Sequence, residues 1–528
     1  MVFEQRPQGH SNPLPDATLA ATRDAAEQTR VDAVQRACDA DARKAMASDT
    51  ARLAAIQTKS DTPEALATIP ALGLDDLPRE NATIPRQVIQ GDNTVLTHEL
   101  PTRGIAYATF LLPLNNVPEE LVPLIPLFAR SLTETGTARR DFTALGALLA
   151  ARTGGLSADP LMGAIYGSRA PLTWLSITGK AVYDKLPDLM ALVNEILLEP
   201  LQDGPFLTER LHQMLLEDKA RLEHGLQAAG HATVSARLRA HFNGADALAE
   251  RTAGLTYLES VRALLARLEN DATSLLVDLN RLRAHIVARP GAVFDCVAEN
   301  KGLALAIEQA RQVLTALPTS RPGKATGLGT TAMSLPTGEV FLAPAQINYV
   351  GKASNLYDLG YAYHGSATVI LRALRMGYLW EHVRVRGGAY GAFCGMDRLV
   401  GTLTCASYRD PNVHDTLDAF DGMADYLRTF TPDKAQLTQA IVGAVGDLDA
   451  YLLPDAKGAR SLTRWLTHDT DDLRARMREE MLGTTATHFR QFADVLAAAK
   501  DTAAVCVLGG SKAEAAAAAN GWACHHLL

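Results

Sequence analysis

The sequence predicts an α+β fold built from two copies of one module, preceded by a helical hairpin. Its 528 residues are about three times the length of a typical domain. Residues 292–306 (AVFDCVAENKGLALA) and 503–517 (AAVCVLGGSKAEAAA) both read as an apolar strand, a short polar turn and an Ala-rich segment. This repetition indicates a duplicated module. The order of strands and helices favours antiparallel sheets with helices on one face over strict βαβα alternation.

The N-terminal region, residues 1–80, is predicted to be a helical hairpin that serves as a linker or arm. Residues 17–57 contain no Gly or Pro and are rich in Ala, Arg, Asp and Gln, which is a strongly helical composition. Most of the apolar side chains are Ala, so we expect thin packing. Pro63, Pro70 and Pro78 then mark an irregular stretch before the first compact module.

The first module is predicted to span residues 81–316. Residues 106–114 are expected to form a strand, and the apolar segment 118–134 a helix whose first turn carries two acids. An apolar strand at 292–297 is expected near the end of the module. Further helices are predicted at 181–198, 205–228 and 231–240.

A linker is predicted at 317–338, where the sequence LPTSRPGKATGLGTTAMSLPTG is dominated by Pro, Gly, Ser and Thr. The second module, 339–528, is expected to repeat the same kinds of element. The predicted elements are strands at 340–342, 346–350 and 503–508, helices at 365–382, 412–430 and 433–451, and a hairpin at 389–408.

Composition excludes several classes of function. Lys and Arg total 51 against 59 Asp and Glu, a net charge of −8, which argues against binding nucleic acid through phosphate neutralisation. No apolar run reaches the roughly 18 residues of a membrane span, and the N-terminus lacks a signal-peptide layout. Six Cys without a CxxC pair indicate reduced thiols and a cytoplasmic protein. The C-terminal Cys524-His525-His526 is expected to be a frayed end, not a metal site.

The catalytic motifs of zinc peptidases are missing. No His-Glu-x-x-His or His-x-x-Glu-His occurs, so no helix presents two imidazoles to a metal. The nearest approach is residues 378–382, YLWEH, in which Tyr378 stands where the first ligand would be. A phenol is a poor substitute for imidazole on zinc. We therefore predict no metal site and no bound cofactor in this chain.

One segment nevertheless offers chemistry, the run VRVRGGAYG at residues 383–391. If it is a strand, Arg384 and Arg386 occupy alternate positions before a flexible Gly pair and Tyr390. A guanidinium donates in a planar fork to a carboxylate or developing oxyanion, and a phenol adds one donor that stays protonated at neutral pH. The residues alone leave open a structural hairpin with an ordinary surface arginine.

At this segment the sequence resembles a known family. Residues 379–412 (LWEHVRVRGGAYGAFCGMDRLVGTLTCASYRDPN) look like the signature of the pitrilysin-type (inverzincin) zinc metallopeptidases, in the presequence-protease branch. The stretch before residue 60 is similar to the hairpin that joins the two halves of such enzymes. Nearly the whole chain therefore resembles the second, C-terminal half. Further matching segments lie at 61–78, 98–114, 134–137, 153–155 and 349–366.

The resemblance implies two pitrilysin-type modules in each half, and two halves that close around unfolded peptides. Zinc sits in the first half, where the Glu of His-x-x-Glu-His activates water. The second half supplies an Arg and a Tyr that hold the substrate carbonyl and stabilise the tetrahedral intermediate. These roles map onto Arg384 and Tyr390. The neighbouring residues Arg386, Gly387, Gly388 and Ala389 are predicted to contact substrate.

The sequence also departs from the family pattern. Residues 127–131 (LFARS) stand where the zinc ligands would be, and Arg130 occupies the position of the catalytic base. Zinc is therefore expected in a partner half, a separate chain, and this chain alone is predicted to be inactive. Residues 1–13 resemble the end of a preceding module, as a split gene, a frameshifted gene or a truncated chain would produce.

Three hypotheses follow from this pattern. The first is a non-catalytic half that supplies Arg384 and Tyr390 to a zinc-bearing chain for clearance of unfolded oligopeptides. The second is an inert peptide-binding or scaffold subunit with no part in the chemistry. The third is an orphan fragment that exposes an apolar face and aggregates when it is expressed alone.

Overall fold

The computed structural model describes residues 17–59, 61–168, 170–201, 203–324 and 327–527. The segment 1–13, discussed above as the end of a preceding module, lies outside these residues. The chain divides into two units, Met1–Leu72 and Gly73–Leu528. Among the described helices, none combines the length and apolar composition needed to cross a bilayer.

The first unit is helical in its described part. Its helices are α1 (Ala17–Ala37), α2 (Ala40–Thr58) and the single turn α3 (Pro63–Leu66). The Asp39 side chain caps α2 by accepting a hydrogen bond from the Ala42 N–H at 2.7 Å. No residue of α2 is buried, as its Ala-rich composition predicts.

The second unit begins with a six-stranded sheet in the order β1-β2-β6-β3-β5-β4. Neighbouring strands are antiparallel except for the parallel pair β2 and β6. Its strands are β1 (Gln87–Ile89), β2 (Thr94–Glu99), β3 (Ile105–Pro113), β4 (Leu156–Gly163), β5 (Leu172–Val182) and β6 (Val293–Ala298).

Helices cover one face of this sheet, and their apolar stripes form the largest core of the protein. The segments predicted as helices 205–228 and 231–240 are one helix, which bends at Ala229 (φ −139°, ψ 35°). The helices are α4 (Ile125–Glu134), α5 (Phe142–Arg152), α6 (Leu186–Leu198), α7 (Pro205–Arg239), α8 (Gly244–Ala253), α9 (Leu255–Asn270), α10 (Ala272–Ile286) and α11 (Asn300–Ala316).

A second six-stranded sheet follows in the order β12-β7-β11-β8-β10-β9. Here β7 pairs in parallel with both β11 and β12, and the other neighbours are antiparallel. Its strands are β7 (Gly338–Leu342), β8 (Tyr349–Asn355), β9 (Gly391–Asp397), β10 (Thr402–Tyr408), β11 (Ala504–Gly509) and β12 (Ala523–His526). The C-terminal residues thus form a strand, and the expectation of a frayed end was wrong.

The two sheets repeat one strand arrangement, which confirms the predicted α+β fold with a duplicated module. From the second position onward, β2-β6-β3-β5-β4 corresponds to β7-β11-β8-β10-β9. The sheets are mixed, with antiparallel neighbours predominating. The helices of the second sheet are α12 (Ser366–Leu374), which continues as a π-helical segment (Arg375–Arg386), then α13 (His414–Asp421), α14 (Met423–Thr429), α15 (Lys434–Leu448), α16 (Pro454–Leu466), α17 (Asp471–Leu482), α18 (Ala486–Lys500) and α19 (Ser511–Asn520).

Each sheet receives on its other face a helix that follows the opposite sheet in the chain. Helix α7 packs its Val234 and Leu238 against the second sheet, where Gly351 leaves the space that a Cβ would close to 2.3 Å from Val234. Helix α16 packs on the first sheet, and Gly458 allows the same close approach to Val297. The two modules are therefore interlocked through reciprocal helix–sheet contacts.

Candidate functional site

The residues 383–386, expected to form a strand, lie instead in the last turns of the π-helical segment. Tyr378, Leu379 and Val383 are its buried residues, a spacing that points one helical face into the core. Trp380 and Arg384 lie one turn apart on the surface, and the guanidinium carbon of Arg384 is 3.8 Å from the centre of the Trp380 ring. Tertiary packing outweighed the alternating Val-Arg pattern.

Two glycines turn the chain from this segment into β9. Gly388 has φ +78°, a left-handed conformation that favours glycine, and its N–H donates to the carbonyl of Arg384 at 2.9 Å. A Cβ on Gly387 would lie 2.6 Å from the Val383 carbonyl oxygen. Ala389 is buried, and its N–H donates to the same Val383 carbonyl at 3.1 Å. The three residues form a tight helix-to-strand turn.

This turn places Tyr390 beside Arg384. The Tyr390 N–H donates to the carbonyl of Tyr408 at 3.0 Å, which fixes the backbone at the start of β9. The Tyr390 side chain is 66% exposed, and the Arg384 guanidinium carbon lies 5.9 Å from its ring centre. The structure thus brings the two candidate catalytic residues together on one surface.

The two arginines of the segment differ in their partners. Arg386 donates from Nε to Glu381 at 2.8 Å, so its charge is already compensated. Within the described part of the chain, the Arg384 side chain has no carboxylate partner and stacks only on aromatic rings. Because a guanidinium remains charged at any physiological pH, Arg384 keeps its donors available to an incoming acceptor.

An exposed apolar surface surrounds this pair. Trp380, Val385, Tyr390 and Phe393 are all exposed large apolar side chains within fourteen residues of sequence. Strand β9 is the last strand of its sheet, and among the described residues only β10 pairs with it. An apolar patch beside a free strand edge is a typical surface for contact with extended peptide.

Sequence reasoning missed His231, which connects this surface to helix α7. Its imidazole stacks on Phe393 with ring centres 5.2 Å apart and meets the edge of Tyr408 at 4.9 Å. Tyr408 in turn lies edge-on to Tyr390 at 5.7 Å. Burial lowers the pKa of His231 below its ordinary value, which favours a neutral ring. No sequence pattern links this residue to a segment so much further along the chain.

The bend of α7 is held from the second sheet. At Ala229 the helical hydrogen bonding is interrupted. The Tyr349 hydroxyl donates to the carbonyl of Gln227, and the Tyr408 hydroxyl donates to that of Ala228 at 3.3 Å. These bonds satisfy carbonyls near the bend and place His231 over the aromatic surface.

Helix α4 stands where the family resemblance places the zinc ligands. Arg130 on this helix donates to Glu134 and Glu217 at 2.8 Å each and to Asp218 at 3.0 Å, beside an open cleft of ≈ 810 Å³. Although burial acts to lower the pKa of Arg130, its hydrogen bonds to these carboxylates outweigh burial and raise it. A guanidinium among these acids does not fit a zinc ion there. The described residues contain no cluster of three or more metal-ligating side chains.

Two family models match the chain. Residues 14–264 match the model of the associated domain of peptidase family M16, subfamily C, and residues 338–511 match "PreP C-terminal domain". Presequence protease 1 (chloroplastic/mitochondrial) of Arabidopsis thaliana is 37% identical over 507 residues, which is 95% of this chain and 46% of that protein. Protein HypA of Clostridium perfringens is 28% identical over 86% of this chain and 46% of its own length. The chain therefore spans about half the length of the curated relatives it matches.

Solved structures share the fold. A crystal structure described as a peptidase M16 inactive domain from Pseudomonas fluorescens aligns with a TM-score of 0.58 at 15% identity, covering 81% of this chain and 98% of that one. A protease from Helicobacter pylori aligns with a TM-score of 0.59 at 10% identity, covering 81% and 99%. At these identities the likeness supports the fold alone.

Proposed function

Because the chain belongs to the peptidase M16 family as a C-terminal, presequence-protease-like half, we propose that it is the non-catalytic half of a zinc metalloendopeptidase. A separate chain bearing His-x-x-Glu-His would hold the zinc and activate water. The two halves would enclose unfolded oligopeptides in a chamber, and the setting would be the cytoplasm. The substitution of Arg130 among carboxylates at the position of the metal helix supports a division of labour in which zinc belongs to the partner.

The observation that carries the proposal is the shared exposed surface of Arg384 and Tyr390. The guanidinium is uncompensated among the described residues, and the phenol lies beside it on the same surface. Both groups donate hydrogen bonds and neither needs to lose a proton at neutral pH. Together they can hold a peptide carbonyl oxygen and stabilise the negative charge that develops on it when water attacks the carbonyl carbon.

The neighbouring candidates would act differently. Gly387, Gly388 and Ala389 use their backbone N–H groups in the turn, so their contribution would be to position Tyr390. Arg386, already paired with Glu381, would contact substrate at most through its exposed side. The structural contrast between the two arginines makes Arg386 a matched control for Arg384.

The test is steady-state hydrolysis of an unfolded peptide by the chain assembled with its zinc-bearing partner. Tyr390→Phe removes one hydroxyl and is expected to lower kcat more than tenfold with little change in KM. Arg384→Ala is expected to lower kcat/KM at least as strongly, whereas Arg386→Ala stays within about threefold of wild type. Near-wild-type turnover by Tyr390→Phe would remove the catalytic role.

A second candidate is an inert peptide-binding subunit. The exposed apolar patch of Trp380, Val385, Tyr390 and Phe393 beside a free strand edge would suit peptide binding without chemistry. In that case Tyr390→Phe and Arg384→Ala would weaken peptide affinity, measured by fluorescence anisotropy, and leave single-turnover cleavage by the assembled enzyme unchanged.

A further inference from the structure

Helix α10 carries an arginine without a counter-charge. The Nη1 atom of Arg283 is buried and has no hydrogen-bond partner in the described part of the chain. Burial lowers the pKa of Arg283 to about 10, and no carboxylate acts against this effect. The side chain therefore remains charged at neutral pH in a poorly hydrated place, which is unfavourable unless an anion pairs with it.

Other buried arginines of this protein are compensated. Arg478, which is fully buried, donates to both oxygens of Asp449 at 2.8 and 2.6 Å. Arg237 makes a two-point bond with Glu339 at 2.8 Å on each side. Against this pattern Arg283 is the exception that calls for a ligand from outside the chain.

A cavity of ≈ 40 Å³ adjoins Arg283. Because one water needs about 10–15 Å³ by the same measure, the space admits a few non-hydrogen atoms. The hydroxyl groups of Ser131 and Thr135 donate to the carbonyls of Phe128 and Ser131, so they are committed to the backbone of α4. The remaining wall is largely leucine, and Arg283 is the one charged side chain among the described lining residues.

We propose that this cavity binds a small monocarboxylate, with the carboxylate on the guanidinium of Arg283 and a short alkyl group against the leucines. One guanidinium matches one negative charge, and its fork accepts both carboxylate oxygens. A phosphate dianion would bury a second, uncompensated charge, and an amine would be repelled. The carboxylate can belong to a free short-chain acid or to the C-terminus of a peptide that ends in a small residue.

The test is the thermal midpoint of the full chain titrated with sodium propionate at constant ionic strength. Wild type is expected to gain a saturating rise in Tm, because at a hundred times Kd the ratio of folded to unfolded chain increases about 100-fold. Propionamide, which has the same shape without the charge, is expected to give no rise. N-acetylalanine distinguishes the sources: an equal rise identifies a peptide C-terminus, and no rise identifies a free acid.

Two variants separate binding from folding. Arg283→Met removes the charge and keeps the length, so it is expected to abolish the propionate response while its Tm without ligand equals or exceeds that of wild type. Arg464→Met is the matched control, since burial also lowers the pKa of Arg464 to about 10, and it should keep the response. A wild-type chain that ignores propionate, a rise that propionamide reproduces, or a response that survives in Arg283→Met would overturn the proposal.

Discussion

The Arg237–Glu339 ion pair offers a sharp test of the interlocked modules. Arg237 projects from α7 and makes its two-point bond with Glu339 at the start of β7, and it also lies 3.4 Å from Glu250. Glu339 is 1% exposed and Glu250 is fully buried. The substitution Arg237→Met keeps the bulk of the side chain and leaves two buried carboxylates without their cation.

The magnitude follows from the cost of an uncompensated buried charge. Removal of one partner from a buried pair typically costs about 3–5 kcal/mol, so Arg237→Met is expected to lower the free energy of unfolding by that amount at pH 7. Arg221→Met on the same helix replaces an exposed arginine and should cost less than about 0.5 kcal/mol. Urea denaturation with matched m-values measures both changes.

The pH dependence of the variant gives a second readout. Burial already raises the pKa of Glu250 in the folded protein, and loss of Arg237 will raise the pKa of both carboxyl groups further. A raised folded-state pKa gives stability that is present at low pH and lost as pH rises through that value. The deficit of Arg237→Met should therefore shrink between pH 7 and pH 5. A deficit below about 1 kcal/mol at pH 7, or one that grows on acidification, would refute the reasoning.

Three further predictions concern packing, charge and thiols. Gly230→Ala should lower the free energy of unfolding by about 1–3 kcal/mol in urea, because its Cβ would lie 2.4 Å from a tyrosine ring, whereas Gly446→Ala, in open space on α15, should raise it by about 0.5–1 kcal/mol. Arg130→Met should destabilise the chain by about 1–3 kcal/mol at pH 7 and by less at pH 5, with equal losses at both pH values counting against the network. In Ellman titration of the native chain only Cys524 and, more slowly, Cys38 should react, since the other four thiols are buried; rapid reaction of all six would contradict the packing.

The duplicated fold could be predicted because its evidence is local and repeated. The strand–turn–helix units β6–α11 and β11–α19 carry the same apolar pattern at residues 292–306 and 503–517. The interlocking could not be predicted, since the stripe on α7 shows that one face is buried but not which sheet buries it. The kink at Ala229 likewise depends on tyrosines contributed by the other sheet.

The candidate site was predicted in its residues but not in its geometry. The alternation of Val and Arg at 383–386 fits a strand, yet burial of Tyr378, Leu379 and Val383 continues the helix through it. A short apolar–polar run carries too few residues to distinguish the two periods. Arg384 and Tyr390 still meet, because the glycine turn folds the chain back within six residues.

The buried Arg283 was beyond sequence reasoning for a related reason. Arginine in a helix is ordinarily a solvated residue, and the α10 sequence contains exposed positions that make it look so. Only the packing of α4, α6 and α7 around it reveals a charge without a partner. Absence of a counter-charge is a property of the tertiary structure.

The central claim is that this chain leaves the metal to a partner. It is tested most directly by the zinc and protein content of the tagged chain purified from its own host. The account predicts a second polypeptide bearing His-x-x-Glu-His, with stoichiometric zinc that stays with that polypeptide when the two are separated. Stoichiometric zinc retained by this chain alone, or a zinc-free chain that never has a partner, would contradict it.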